Sequence, residues 1–122
     1  MRNALGLDIS KATIDAAVII GDNCKTAKFD NSPSGYARLQ DWLKQADADD
    51  LYICMEATGN YYEDAADYLG RHYKVLVVNP LKISSYAKSR FRRTKNDKQD
   101  AILIAEYCQS LKPKDLHIRQ PV

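Results

Sequence analysis

Three strand-like runs, the second of them β-branched almost throughout, open the chain with almost nothing between them, and this limits the fold more than any other feature. The first covers about residues 3–10, and Lys11-Ala12 is a tight turn. The second is Thr13 to Ile20, and the third ends near Phe29 after the turn residues Gly21-Asp22-Asn23. Links this short join antiparallel neighbours, so the chain begins with a three-stranded meander. The pattern then changes. Asn31-Ser32-Pro33-Ser34 starts a helix with Pro33 in its first turn, and Leu39, Trp42, Leu43 and Ala46 share its apolar face. A fourth strand is Leu51 to Glu56. A second helix begins at Asn60, which has capping-box spacing to Glu63, and ends near Gly70, a suitable C-cap. A fifth strand is Tyr73 to Val78, Pro80 opens another helix, residues 88–96 read as a loop, and a last helix spans about 97 to 110. A meander followed by βαβ crossovers predicts an α/β fold: a mixed five-stranded sheet with helices on both faces. Strands one and four are then adjacent and parallel.

Within this order of elements, four acids sit where a purely structural protein would prefer other residues. Asp8 lies inside Leu5-Gly6-Leu7-Asp8-Ile9-Ser10, in a central strand where Asp is disfavoured. Glu56 closes Leu51-Tyr52-Ile53-Cys54-Met55-Glu56. Ligands of such sheets bind at the carboxyl ends of the strands, which is where both acids fall. In the last helix Asp97, Asp100, Ala101, Ile104, Cys108 and Leu111 follow helical spacing on one stripe, so two acids continue its apolar face towards the sheet. Four carboxylates gathered in one place cannot all stay ionised without a cation between them. Hard oxygen donors suit magnesium or manganese, which points to metal-dependent phosphoryl transfer. The structural alternative makes Asp97 a first-turn acid that complements the helix dipole. It accounts for Asp97 and Asp100 but not for Asp8.

Charge distribution agrees with the site. From Lys82 to Lys98 there are seven basic residues (Lys82, Lys88, Arg90, Arg92, Arg93, Lys95, Lys98) against one acid, Asp97, although the whole chain carries only +2. A basic block to hold phosphate beside acids to hold metal is a common arrangement in nucleic-acid enzymes. The segment from Lys88 to Lys98 is therefore the expected phosphate-contact surface. Tyr61 and Tyr62 follow the fourth strand; one is expected to pack on the sheet and the other to stack on a base at the rim. At 122 residues the chain has the length of one ordinary domain. Its longest apolar runs, such as Val75-Leu76-Val77-Val78, are too short to span a bilayer. The first strand follows Met1-Arg2-Asn3 at once, which leaves no signal peptide. Cys24, Cys54 and Cys108 are odd in number and widely spaced, which fits small buried filler in a reducing cytoplasm. His72 and His117 read as surface residues, Asp15 and Asp22 as solvated hairpin positions, and Ser10, Ser84 and Ser85 lack a nucleophile motif.

Taken together, Gly6-Leu7-Asp8-Ile9-Ser10-Lys11, Met55-Glu56-Ala57-Thr58-Gly59 and Lys95-Asn96-Asp97-Lys98-Gln99-Asp100-Ala101 resemble the N-terminal domain of DEDD transposases, the group of the Piv and MooV invertases and the insertion-sequence-110 elements. The Asn79-Pro80 pair fits as well, while Asn96 is often Thr in the group. The resemblance covers nearly the whole chain. It implies a RuvC-like ribonuclease H fold, with the acidic tetrad on Asp8, Glu56, Asp97 and Asp100 holding two divalent ions, Mg2+ or Mn2+, for attack on DNA phosphodiesters. It also implies a structured guide RNA and homo-oligomeric assembly of the full-length protein, with no membrane partner. In that group a second, C-terminal domain carries a serine thought to act as nucleophile. Residues 1–122 are thus expected to be the RuvC-like DEDD domain, with the second half absent.

Three other readings compete. A stand-alone RuvC-like nuclease, such as a junction resolvase, would use the same tetrad, and junction-specific cleavage would mark it. A non-catalytic nucleic-acid-binding module would need only the basic block and would bind no metal. A fragment of an actin-like sugar kinase would need glycine-rich phosphate loops, for which Gly6, Gly21, Gly35, Gly59 and Gly70 are too scattered.

Overall fold

In the computed structural model, which describes residues 2–90 and 97–120, the opening runs form β1 (Ala4–Ile9), β2 (Thr13–Ile20) and β3 (Asn23–Asp30), paired antiparallel in sequence order. Ser10 closes the first turn: its N–H donates to the Thr13 carbonyl at 2.9 Å, and its hydroxyl lies 2.9 Å from Thr13 Oγ1. Gly21 makes the second with φ of +59°, a left-handed conformation that glycine adopts without steric cost. Helix α1 (Pro33–Ala46) starts where Ser32 Oγ accepts from the Gly35 N–H at 3.3 Å. Then come β4 (Tyr52–Glu56), α2 (Glu63–Gly70), β5 (Lys74–Val78), α3 (Pro80–Ser89) and α4 (Asp97–Ser110). Asn79 caps α3 by accepting from the Leu81 N–H at 2.8 Å.

The sheet order is β3-β2-β1-β4-β5, with β4 parallel to both β1 and β5. This is the expected mixed five-stranded sheet. Alternation along the central strand sends Leu5 and Leu7 to one face, where with Ile53 and Met55 they pack against Leu39 and Leu43 of α1 and Leu69 of α2. Ala4 and Cys54 face the other way, with Leu76 and Val78, under Ile83 of α3 and Ile104 and Cys108 of α4. Helices thus cover both faces. Beyond α4 the chain returns to the β5 edge. There the Arg119 N–H donates to the Val75 carbonyl at 2.7 Å, and its guanidinium pairs with Asp67 at 2.6 Å. Among the described residues no helix is long and apolar enough to cross a membrane.

The second helix departs from expectation at both ends. It begins at Glu63, not Asn60, and no side chain caps it; Asn60 offers only its carbonyl, 3.3 Å from the Glu63 N–H. Glu63 and Asp64 in its first turn complement the helix dipole instead. At the other end Gly70 stays helical. The N–H groups of His72 and Tyr73 both converge on the Leu69 carbonyl, at 3.0 and 2.8 Å, so the helix closes without a left-handed residue. Cys24 is exposed on edge strand β3, whereas Cys54 and Cys108 are the buried filler expected. Lys88 and Ser89 belong to the last turn of α3, not to a loop, and residues 91–96 of the basic stretch lie outside the described residues.

Candidate functional site

The register of β1 on β4 pairs Leu7 with Met55. One step further along both strands, Asp8 and Glu56 stand side by side at the carboxyl ends. Asp8 follows Ala4 and Gly6 by alternation, and Glu56 follows Cys54, so both belong to the face covered by α4. The Thr58 hydroxyl donates to Glu56 Oε2 at 3.3 Å.

Helix α4 runs against the direction of β1. The Arg2 guanidinium, before the start of β1, donates through Nη1 to the carbonyls of Cys108, Gln109 and Leu111 at 2.9, 3.2 and 2.6 Å, and so ties the end of α4 to the beginning of the strand. In its middle the helix lies directly on Gly6. A Cβ there would sit 2.2 Å from the Ala101 carbonyl oxygen and 2.4 Å from the Ala105 nitrogen. Ala17, the partner of Gly6 on β2, completes this seam with Ala101 and Ala105. Small residues on both sides let the backbones approach, and the approach fixes where the helix begins. Asp8 lies two residues beyond Gly6, about 7 Å along the strand. Asp97 lies four residues before Ala101, about 6 Å along the helix in the same direction. The first turn of α4, with Asp97 and Asp100, is therefore brought to the end of the sheet that carries Asp8 and Glu56. The side chain of Asp97 is not among those described. Among the described residues no three His, Cys, Asp or Glu side chains gather closely enough to hold a metal ion. The donor set itself suits a divalent ion, since all four groups offer hard carboxylate oxygens.

Asp15 belongs to the same end of the molecule and was missed. It lies directly across from Asp8 on β2, and Lys28 lies across from it on β3, with Lys28 Nζ 4.0 Å from Asp15 Oδ1. Its side chain is only 14% exposed, so it is no solvated hairpin position. A signal was present: a turn centred on Lys11-Ala12 pairs residues whose numbers sum to 23, and Asp8 and Asp15 do. Two carboxylates directly opposed repel, and the Lys28 ammonium offsets part of that repulsion. Asp22 is exposed in its turn, and His72 and His117 are exposed as expected.

Of the tyrosine pair, Tyr62 packs against the core and Tyr61 is 46% exposed. Lys88 and Arg90, described members of the basic block, are not gathered beside the acids. Helix α3 starts at the carboxyl end of β5 and runs down α4, with Tyr86 against Tyr107 at 5.6 Å between ring centroids. Tyr107 is next to Cys108, whose thiol reaches the Tyr52 carbonyl at the start of β4. Lys88 and Arg90 are exposed at that far end, about 15 Å along the helix from the carboxylates. Arg92, Arg93 and Lys95 lie outside the described residues, and the side chain of Lys98 is not described.

Comparison with known proteins agrees with this architecture. Two pilin gene-inverting proteins, from Moraxella bovis and Moraxella lacunata, are each 42% identical over 109 residues, which cover 87% of the chain. The same stretch is 34% of either relative, so the chain spans about a third of their length. Thermus thermophilus RuvC superposes with a TM-score of 0.58 in its complex with a Holliday junction substrate, at 11% identity over 88% of the chain and 92% of RuvC. A second structure of the same RuvC gives 0.56 at 13% identity, over 86% of the chain and 92% of RuvC. These likenesses establish a RuvC-like ribonuclease H fold. The family model for DEDD transposases of the IS110 type matches residues 5–121, and the chain belongs to that transposase family.

Proposed function

We propose that residues 1–122 form the carboxylate-bearing catalytic domain of a transposase or site-specific recombinase that acts on DNA phosphodiesters in the cytoplasm. The observation that carries this reading is the seating of α4 on Gly6, which sets Asp97 and Asp100 at the end of the sheet shared by Asp8 and Glu56. Those four residues would hold two Mg2+ or Mn2+ ions. Bound ions of this kind polarise a phosphate and prepare a hydroxyl for attack. The protein's own part is to fix its carboxylates on a rigid strand pair and helix, where small displacements are resisted by close packing. Lys88 and Arg90, with Arg92, Arg93, Lys95 and Lys98, hold phosphate oxygens along the duplex or along a structured guide RNA. Tyr61 stacks on a base at the rim. Family membership supports the guide RNA and homo-oligomeric assembly of the full-length protein. Strand exchange draws on the remaining length that the relatives possess.

Titration calorimetry with Mn2+ tests the metal site. Binding should weaken strongly in Asp8→Asn and in Asp97→Asn. Unchanged binding in both variants would refute the assignment. For the phosphate contacts, replacing Arg90, Arg92 and Arg93 by Ala should lower affinity for DNA and RNA and flatten its salt dependence, with the fold intact. An unaltered salt slope would place the contact surface elsewhere.

A further inference from the structure

Asn31 stands at the joint between β3 and α1, and its side chain is the point where the loops of the carboxylate end meet. Its Nδ2 donates to the Ser10 carbonyl at 2.9 Å and to the Tyr61 carbonyl at 3.1 Å. Its Oδ1 accepts from the Tyr36 hydroxyl at 2.6 Å, and its backbone N–H donates to the Ala12 carbonyl at 2.9 Å. Ser10 and Ala12 belong to the turn that follows Asp8. Tyr61 belongs to the loop that follows Glu56. Both carboxamide hydrogens and the carboxamide oxygen are therefore used, and no other residue type of this size offers that set of donors and acceptor. The network is anchored in the core, because Tyr36 is 4% exposed.

The Tyr61 loop has a reason to need such a tie. Gly59 within it has φ of +57°, and the Tyr61 ring is the nearest group to Gly59, 3.8 Å from where a Cβ would stand. An exposed aromatic ring on a glycine-containing loop is mobile unless its backbone is fixed, and mobility lost on binding weakens stacking. We infer that Asn31 is a positioning residue: it locks the loops after Asp8 and Glu56 into one rim and holds Tyr61 as a fixed platform for a nucleobase. The inference rests on the reading of this domain as acting on DNA, and it adds to that reading the residue that sets the geometry of the rim.

The test is a double-mutant cycle on this chain, read by fluorescence anisotropy with a labelled single-stranded DNA oligonucleotide. Tyr61→Ala should lower affinity about 5- to 150-fold, the range for loss of one stacked base. Asn31→Ala should lower it severalfold by itself and add nothing in the Tyr61→Ala background. Tyr36→Phe, which keeps the ring packing and removes only the hydroxyl, should produce a smaller loss in the same direction. It carries the test if Asn31→Ala fails to fold. Amide exchange over residues 57–62 should speed up in Asn31→Ala and Tyr36→Phe, while the α2 core stays protected. The inference is overturned if Tyr61→Ala weakens binding while Asn31→Ala and Tyr36→Phe do not, or if the Asn31 and Tyr61 losses add in full. A silent Tyr61→Ala overturns it too, yet leaves the metal reading to stand or fall on Asp8→Asn.

Discussion

Gly6→Ala should damage the site more than it damages the fold. The new methyl would lie 2.2 Å from the Ala101 oxygen and 2.4 Å from the Ala105 nitrogen, where ordinary contact begins at 3.4 Å. Both obstacles are backbone, so no side chain can swing aside. Helix α4 must lift by about 1 Å, and overpacking of this kind costs about 1–3 kcal/mol. For a chain of this length each kcal/mol lowers the melting temperature by about 4 °C, so scanning calorimetry should show a drop of about 4–12 °C. The lift also moves Asp97 and Asp100 away from Asp8 and Glu56, and a displacement of about 1 Å can cost on the order of 100-fold in function. Mn2+ affinity, measured well below the melting point, should fall by a comparable factor. Leu43→Ala is the control. Leu43 is 4% exposed beneath α1 on the opposite face of the sheet, and its truncation costs about 2–5 kcal/mol. It should melt at least as early and still bind Mn2+ normally. If Gly6→Ala melts like the wild type, the helix does not lie on the strand as described. If Leu43→Ala loses affinity equally, positioning by α4 is not the cause.

Other consequences are quicker to check. Arg2→Ala removes a charged donor from three carbonyls at the end of α4 and should cost about 1.5–3 kcal/mol in urea unfolding, with faster amide exchange confined to that end of the helix. In native protein a thiol reagent should label exposed Cys24 and spare Cys54 and Cys108; a hydrogen bond donated by the Cys54 thiol to Cys108 and burial both push the Cys54 thiol pKa up, and denaturation should release all three. Burial, with a contribution from Asp64, raises the Tyr36 phenol above its ordinary value of 10.0, so its neutral form is favoured by folding. Its contribution to stability is complete below that value and fades as pH climbs through the raised one, and Tyr36→Phe should flatten this alkaline loss.

Much of the architecture was legible because local and global preferences agree in β2 and α4, whose ends fall where residue pattern alone puts them. The parallel neighbourhood of β1 and β4 followed from connection rules, and with it the pairing of Asp8 and Glu56. Failures occurred where tertiary partners replace local signals. Helix α2 needs neither Asn60 nor a left-handed Gly70, because the run into β5 supplies its own closing hydrogen bonds to Leu69. Asp15 resembles any polar residue in an alternating strand until the register sets it against Asp8. The exposure of Cys24 follows from β3 being an edge, which depends on strand order. The distance of Lys88 and Arg90 from the carboxylates depends on the direction in which α3 packs.

The contact between Gly6 and Ala101 joins positions ninety-five residues apart. Strand β1 leaves the ribosome early, yet one of its faces has no cover until α4 has been made. Closing a loop of that length costs only slightly more than closing a shorter one, because the entropy grows with the logarithm of the separation. The order of events is still constrained, since a long-range contact of this kind is rewarded only after the intervening elements are in place. A nascent chain that has completed the meander, β4 and β5 already holds Asp8 and Glu56 side by side, but without the helix that brings Asp97 and Asp100. Cutting chemistry that depends on all four would therefore wait for the docking of α4.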